Sequence, residues 1–126
     1  MSRIQDIREQ VTFHYFSLED RGVTLKEISE ISPEIVYHVA AAGTAVGRVP
    51  LSLDDLISTN TFGSIHLMDA CHETGSCEIF IHTGSSSEYG RKDIPMREDD
   101  VIEPNNLYGL SKAGATHYAT YLGRQK

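Results

Sequence analysis

Positive charge is scarce in this chain. Eleven Lys and Arg stand against 18 Asp and Glu, a formal net charge of −7. That balance argues against nucleic acid and anionic membranes as partners, because both attract basic surfaces. Long hydrophobic runs are also missing. No stretch approaches the roughly 20 apolar residues that a membrane-spanning helix needs. The start, Met1-Ser2-Arg3-Ile4-Gln5-Asp6, lacks the apolar core of a signal peptide. A cytoplasmic location is the resulting expectation. Cysteine is limited to Cys71 and Cys77, whose spacing fits no common zinc or redox motif, so buried structural thiols are expected. The six histidines (His14, His38, His66, His72, His82 and His117) are scattered, and no metal site is expected. His14, His38 and His82 fall in apolar runs and are read as core histidines. His72 falls at a helix end, where the dipole favours a cation.

What remains is the composition of a single soluble domain, 40% hydrophobic and 23% charged over residues 1–126. Val11 to Phe16 is β-branched and aromatic and reads as a strand. Thr24 and Glu27 have the spacing of a capping box, predicting a helix from Leu25 to about Ser32 that ends before Pro33. The nearly continuous apolar run Glu34 to Ala42 suits a strand buried on both faces of a parallel sheet. Gly43 to Pro50 reads as a loop. Ser52 and Asp55 form a second capping pair, opening a long helix to about Thr74 with Gly75 as its terminator. Asn60, Gly63 and Ser64 interrupt the apolar stripe of that helix. Cys77 to Thr83 reads as a third strand, Gly84 to Asn106 as a polar loop, and a last helix starts near Leu107. Strands alternating with helices imply an α/β fold with a parallel sheet, whose ligands bind beyond the carboxyl ends of the strands.

Two features converge there. Tyr108 and Lys112 stand four residues apart on the last helix, which puts both on one helical face. A lysine ammonium at that distance stabilises a phenolate, which brings a phenol from its reference pKa of about 10 towards the range of a general base or acid. Upstream, Thr83-Gly84-Ser85-Ser86-Ser87-Glu88-Tyr89-Gly90 ends the third strand and could add a hydroxyl to the same reacting oxygen. Tyr-x-x-x-Lys is by itself a weak pattern, and its position gives it weight.

Four stretches, in order and at characteristic intervals, resemble the extended short-chain dehydrogenases/reductases, the NAD(P)-dependent sugar-nucleotide epimerases, dehydratases and reductases. They are Pro33-Glu34-Ile35-Val36-Tyr37-His38-Val39-Ala40-Ala41, then Asn60-Thr61-Phe62-Gly63-Ser64, then Thr83 to Gly90, then Pro104-Asn105-Asn106-Leu107-Tyr108-Gly109-Leu110-Ser111-Lys112. The resemblance implies that Tyr108 is the catalytic tyrosine. It implies that Lys112 tunes this tyrosine and holds the nicotinamide ribose, and that Ser85 is the catalytic hydroxyl. Ala40, Ala41, Asn60, Tyr108 and Lys112 become the cofactor-binding residues, with Asn60 tying its helix to the strand bearing His38. Ser86 and Ser87 become candidate substrate contacts, or serve only in loop hydrogen bonds. NAD or NADP is the implied cofactor and a nucleotide-sugar the implied substrate. Similar dehydratases carry an acid two residues after the catalytic hydroxyl. Here that position is Ser87, with Glu88 one further on, so epimerase or reductase chemistry is favoured over 4,6-dehydration.

The family's opening strand and glycine-rich turn, whose backbone cradles the pyrophosphate, have no counterpart. The ten glycines are dispersed, at 22, 43, 47, 63, 75, 84, 90, 109, 114 and 123. The second strand and the carboxyl-terminal substrate domain are also without counterpart. The expected structure is thus a partial Rossmann-like sheet of three strands and three helices. The segment at 11–16 would lack its neighbour. Function is expected from a complete enzyme, with a homo-oligomer or a complementing chain as candidate partner. A non-catalytic remnant or interaction subunit is the alternative.

Overall fold

The computed structural model describes residues 5–43 and 50–125. Its centre is a parallel pair of strands, β1 (Ile35–His38) and β2 (Ile79–His82), with Ile35 opposite Ile79 and His38 opposite His82. Side chains alternate across a strand, and the alternation here divides two unlike faces. Val36, His38 and Phe80 point to the side carrying the helices. Ile35, Tyr37, Ile79 and Ile81 lie on the other and are 40–67% exposed.

Helix α1 (Arg21–Ile31) precedes β1. Its N-cap is Asp20, whose Oδ1 accepts the Val23 N–H at 3.0 Å. The expected Thr24/Glu27 capping box does not form. Thr24 lies inside the helix, fully buried, and donates to the Ser17 carbonyl at 3.4 Å. The helix stops at Ser32, which adopts a left-handed conformation (φ 46°) before Pro33.

The long helix between the strands forms in three parts: α2 (Leu53–Leu56), a π-helical stretch (Ile57–Gly63) and α3 (Ser64–Thr74). Ser52 and Asp55 make the expected capping box, and Gly75 ends α3 with φ 68°. The π stretch coincides with the break in the apolar stripe at Asn60 and Gly63. Of the predicted loop at Gly43 to Pro50, residues 44–49 lie outside the described residues. Ile28 of α1 packs on Leu67, Ala70 and Cys71 of α3, with Leu18, Val36, Cys77 and Phe80 around them. Cys71 is buried as expected, whereas Cys77 is only half-buried.

Among the described residues the sheet has two strands rather than three. Residues 11–16 form no strand, and Phe13 and Tyr15 stack on each other with Tyr15 88% exposed. A β-prone sequence becomes a strand only when a neighbour takes its hydrogen bonds. His14 is accordingly no core histidine. It is exposed, with its ring 3.3 Å from Glu27 Oε2.

After β2 a short 3₁₀ turn (Ser86–Tyr89) leads through a long loop to α4 (Leu107–Gly123). Asn106 caps α4 by accepting the Gly109 N–H at 2.8 Å. The helix packs on the π stretch and on the 3₁₀ turn. No described helix is long and apolar enough to cross a membrane.

Candidate functional site

Three chain segments meet beyond the carboxyl ends of the strands: residues 39–43 after β1, the serine turn after β2, and the first half of α4. Gly109 holds the last two together. A Cβ at this position would overlap the Ser87 carbonyl oxygen, so only glycine allows the serine turn to sit against the first turn of α4.

Tyr108 is half-buried, and its ring lies against Gly43, where an added Cβ would be 3.4 Å from Tyr108 Cε2. Lys112 follows one turn later and is 2% exposed. Ser85 is half-buried. It caps the 3₁₀ turn, its Oγ accepting the Ser87 N–H at 3.2 Å. Ser86 is exposed and Ser87 half-buried. Ala40 and Ala41 are both exposed just past β1, so the main chain there is open to close approach. Tyr108, Lys112, Ser85 and the 40–41 segment therefore share one end of the molecule.

Asn60 is 1% exposed, and its amide is fully engaged within the protein. Oδ1 accepts the Ala42 N–H at 2.7 Å, and Nδ2 donates to the Ala42 carbonyl and to Ser111 Oγ, both at 2.9 Å. Ser111 Oγ donates to the Tyr108 carbonyl at 2.8 Å. Asn60 thus fixes the 40–43 segment relative to the tyrosine helix, and its side chain is turned inward rather than offered to a cofactor. The direct tie to β1 comes from a different residue of the same helical run, Ser64, whose Oγ lies 2.8 Å from His38 Nε2.

Burial sets the electrostatics. Lys112 is held below the ordinary amine value by desolvation, and the Glu88 charge pushes the other way. His38 is lowered by burial and by the Lys112 charge. His82 is lowered to about 4 by burial, Lys112 and His38 in that order. The rings of the two histidines are 5.7 Å apart. His38 is the satisfied core histidine expected of it. His82 is not, because neither of its ring nitrogens has a hydrogen-bond partner among the described residues.

Glu88, Ser111 and Ser64 were not singled out for these roles by the sequence reading. Glu88 had a legible signal, since Ser85 and Glu88 have the spacing of a capping box. The box is formed, with the Ser85 N–H donating to Glu88 Oε1 at 2.7 Å. A cavity of about 430 Å³ between α3, β2 and the end of α4, lined by Met68, Cys71, Phe80, His82 and Leu122, lies apart from the Tyr108–Ser85 end.

The sequence matches the model of the NAD dependent epimerase/dehydratase family over residues 2–126. It is 23% identical to the dTDP-4-dehydro-6-deoxyglucose reductase of Escherichia coli, over 97% of this chain and 40% of that protein. It is 30% identical to GDP-mannose 4,6 dehydratase 2 of Caenorhabditis elegans, over 80% of this chain and 27% of that protein. The crystal structure of Thermus thermophilus UDP-glucose 4-epimerase in complex with NAD superimposes with a TM-score of 0.74 at 25% identity, covering 94% of this chain and 40% of that one. The chain thus spans less than half the length of these relatives.

Proposed function

The chain belongs to the NAD-dependent epimerase/dehydratase family, and from that premise we propose that it is the central, tyrosine-helix portion of a sugar-nucleotide epimerase or oxidoreductase. The observation that carries this reading is the meeting of Tyr108, buried Lys112 and the Ser85 turn, locked together through Gly109. A nucleotide-sugar is the proposed substrate, by the chemistry of the similar proteins. NAD or NADP, when bound, supplies a two-electron acceptor and donor for hydride.

The residues of this chain fit one end of such a cofactor. Tyr108, Lys112 and the exposed backbone at Ala40 and Ala41 would hold the nicotinamide ribose. No glycine-rich turn among the 126 residues offers a pyrophosphate cradle. Cofactor affinity is therefore assigned to a complete fold, supplied by further chain or by a complementing polypeptide.

In the forward direction Tyr108 would accept the proton of a sugar hydroxyl, and bound oxidised NAD or NADP would supply the acceptor for the hydride lost from the carbinol carbon, giving a ketosugar. Lys112 follows Tyr108 one turn along α4 and is 2% exposed. Ser85 Oγ donates to the same sugar oxygen. In the reductive direction Tyr108 returns its proton to the ketosugar oxygen. Ser86, exposed at the turn, is the better placed of the two further serines to meet substrate. Ser87 is half-buried, and its carbonyl lies against Gly109.

Epimerase or reductase chemistry is favoured over dehydration, which needs an acid near the sugar's leaving group. The position for it holds Ser87, and Glu88 is 2% exposed beneath the turn.

In the completed enzyme, Tyr108→Phe should abolish turnover, by at least the 10²-fold typical of a lost acid–base group, while leaving cofactor affinity within a few-fold. Steady-state kinetics and NAD(H) titration measure the two. Surviving activity would remove Tyr108 from the mechanism. For the 126-residue chain alone, no NAD(H) binding is expected at millimolar cofactor, and tight binding would show that the chain needs no completion.

A further inference from the structure

Four buried side chains form one hydrogen-bonded path from the sheet to the tyrosine helix. His38, at the end of β1, is 3% exposed, Asn60 1%, and Ser64 and Ser111 0%. His38 Nε2 lies 2.8 Å from Ser64 Oγ, and Ser64 Oγ donates to the Asn60 carbonyl at 2.6 Å. The Asn60 side chain carries the path on to Ser111 Oγ, which donates to the Tyr108 carbonyl.

The direction of these bonds follows from the hydrogens available. A serine hydroxyl has one to give. Ser64 gives it to the Asn60 carbonyl, so towards His38 it can only accept. The ring hydrogen of His38 therefore sits on Nε2.

Ser64 also stands where the π stretch hands over to α3. In a regular α-helix its N–H would bond the carbonyl four residues back, that of Asn60. Here the N–H bonds the Thr61 carbonyl, and the hydroxyl serves Asn60. A serine that bonds back in this way bends the helix that carries it. The widened turn delivers two successive residues to α4. Asn60 reaches Ser111 Oγ, and Thr61 Oγ1 donates to the Ser111 carbonyl at 2.7 Å. The facing helix makes room at Gly114, where a Cβ would fall 2.9 Å from Thr61 Cγ2.

We propose that Ser64 is a positioning residue for the reaction: held by the His38 Nε2–H, its hydroxyl sets the π turn that brings Asn60 and Thr61 to Ser111, and so fixes where α4 presents Tyr108. This rests on the proposed role of Tyr108 and deepens it. The end of β1 and the tyrosine helix are held in register through one hydroxyl.

The first test leaves the protein unaltered. In the 126-residue chain carrying nitrogen-15 histidine, long-range correlation spectra at neutral pH distinguish the two neutral tautomers. Burial and the Lys112 charge hold the His38 pKa below the ordinary imidazole value. Its signals, assigned by their loss in His38→Gln, should be those of the Nε2–H form. The Nδ1–H form would make Ser64 the donor to the ring, take its hydrogen from Asn60 and overturn the proposal.

The second test removes the hydroxyl. In Ser64→Ala, deuterium exchange of the Asn60 side-chain amide should accelerate relative to the Ile28 backbone amide by roughly three- to tenfold, the factor set by the net contribution of one hydrogen bond. The ring resonances of Tyr108, assigned by their loss in Tyr108→Phe, should move. Ser64→Thr keeps the hydroxyl and should restore both. A serine that serves only the stability of the fold would change both amides alike and leave the Tyr108 ring in place, and that result overturns the proposal. If Ser64→Ala does not fold, the tautomer decides. None of these readouts depends on turnover. A Tyr108→Phe enzyme that stayed active would remove the catalytic reading and leave the placement of the ring by Ser64 standing.

Discussion

Asn60 carries more of the site's geometry than any residue that would touch substrate. Its amide satisfies both main-chain groups of Ala42 and reaches Ser111 on the tyrosine helix. Truncation would leave these partners unmatched. An unsatisfied buried polar group costs roughly 1–3 kcal/mol, so Asn60→Ala should destabilise the fold by about 2–4 kcal/mol. Chemical denaturation measures this. A loss below about 0.5 kcal/mol would mean that water replaces the amide. Asn60 was legible because a polar residue stood in an otherwise apolar helical stripe. Its partners were not, because Ala42 and Ser111 are brought to it by folding. The same contrast holds for capping. Ser52 and Asp55 formed the box their spacing suggested, whereas Thr24 and Glu27, at the same spacing, did not. Asp20 started α1 one turn earlier and left Thr24 inside the helix. Spacing defines a set of candidate caps, and packing selects among them.

At the scale of elements, β1 and β2 were readable from continuous apolar runs between turn signals, and α4 from its capped start. The π stretch was visible only as a gap in the stripe, since its widened turn follows from hydrogen bonding that no residue type announces. The segment at 11–16 had the composition of a strand without its pairing. The β1–β2 pair also makes a pH prediction. His38 and His82 face each other in register at the ends of the two strands, under the charge of Lys112. His82 has a folded-state pKa of about 4, against about 6.5 in an unfolded chain. The unfolded state therefore binds more protons between these values, and stability must fall as pH drops through that window. Above about pH 6.5 the contribution is complete. His38, also lowered, acts in the same direction. Thermal unfolding from pH 7 to 4 should show the decline, and His82→Gln should flatten it relative to wild type. A variant with an unaltered slope would assign the acid sensitivity elsewhere.

At the scale of the whole molecule, the decisive feature is a parallel sheet that the described residues clothe on one side only. Parallel strands are ordinarily covered on both faces, yet Ile35 and Ile79 are each 50% exposed, Tyr37 67% and Ile81 40%. Among the described residues the sheet has two strands, which leaves two open edges, and open edges invite association. The chain spans 40% of the Escherichia coli relative it matches, and among the described residues nothing covers this face. The 126-residue chain should accordingly self-associate at micromolar concentration. Tyr37 and Ile81 are register partners, so Tyr37→Lys with Ile81→Glu places an opposite-charge pair on that face without touching the helical side. Sedimentation velocity should show the variant shifted towards monomer, with its far-UV circular dichroism unchanged. The same two substitutions should behave oppositely in a completed fold. Where further elements cover the face, charges in it are costly, and assembly or stability should be lost. Equal self-association of wild type and variant would exclude the sheet face as the sticky surface. A completed fold that tolerated both charges would exclude it as the seam along which the rest of the fold is added.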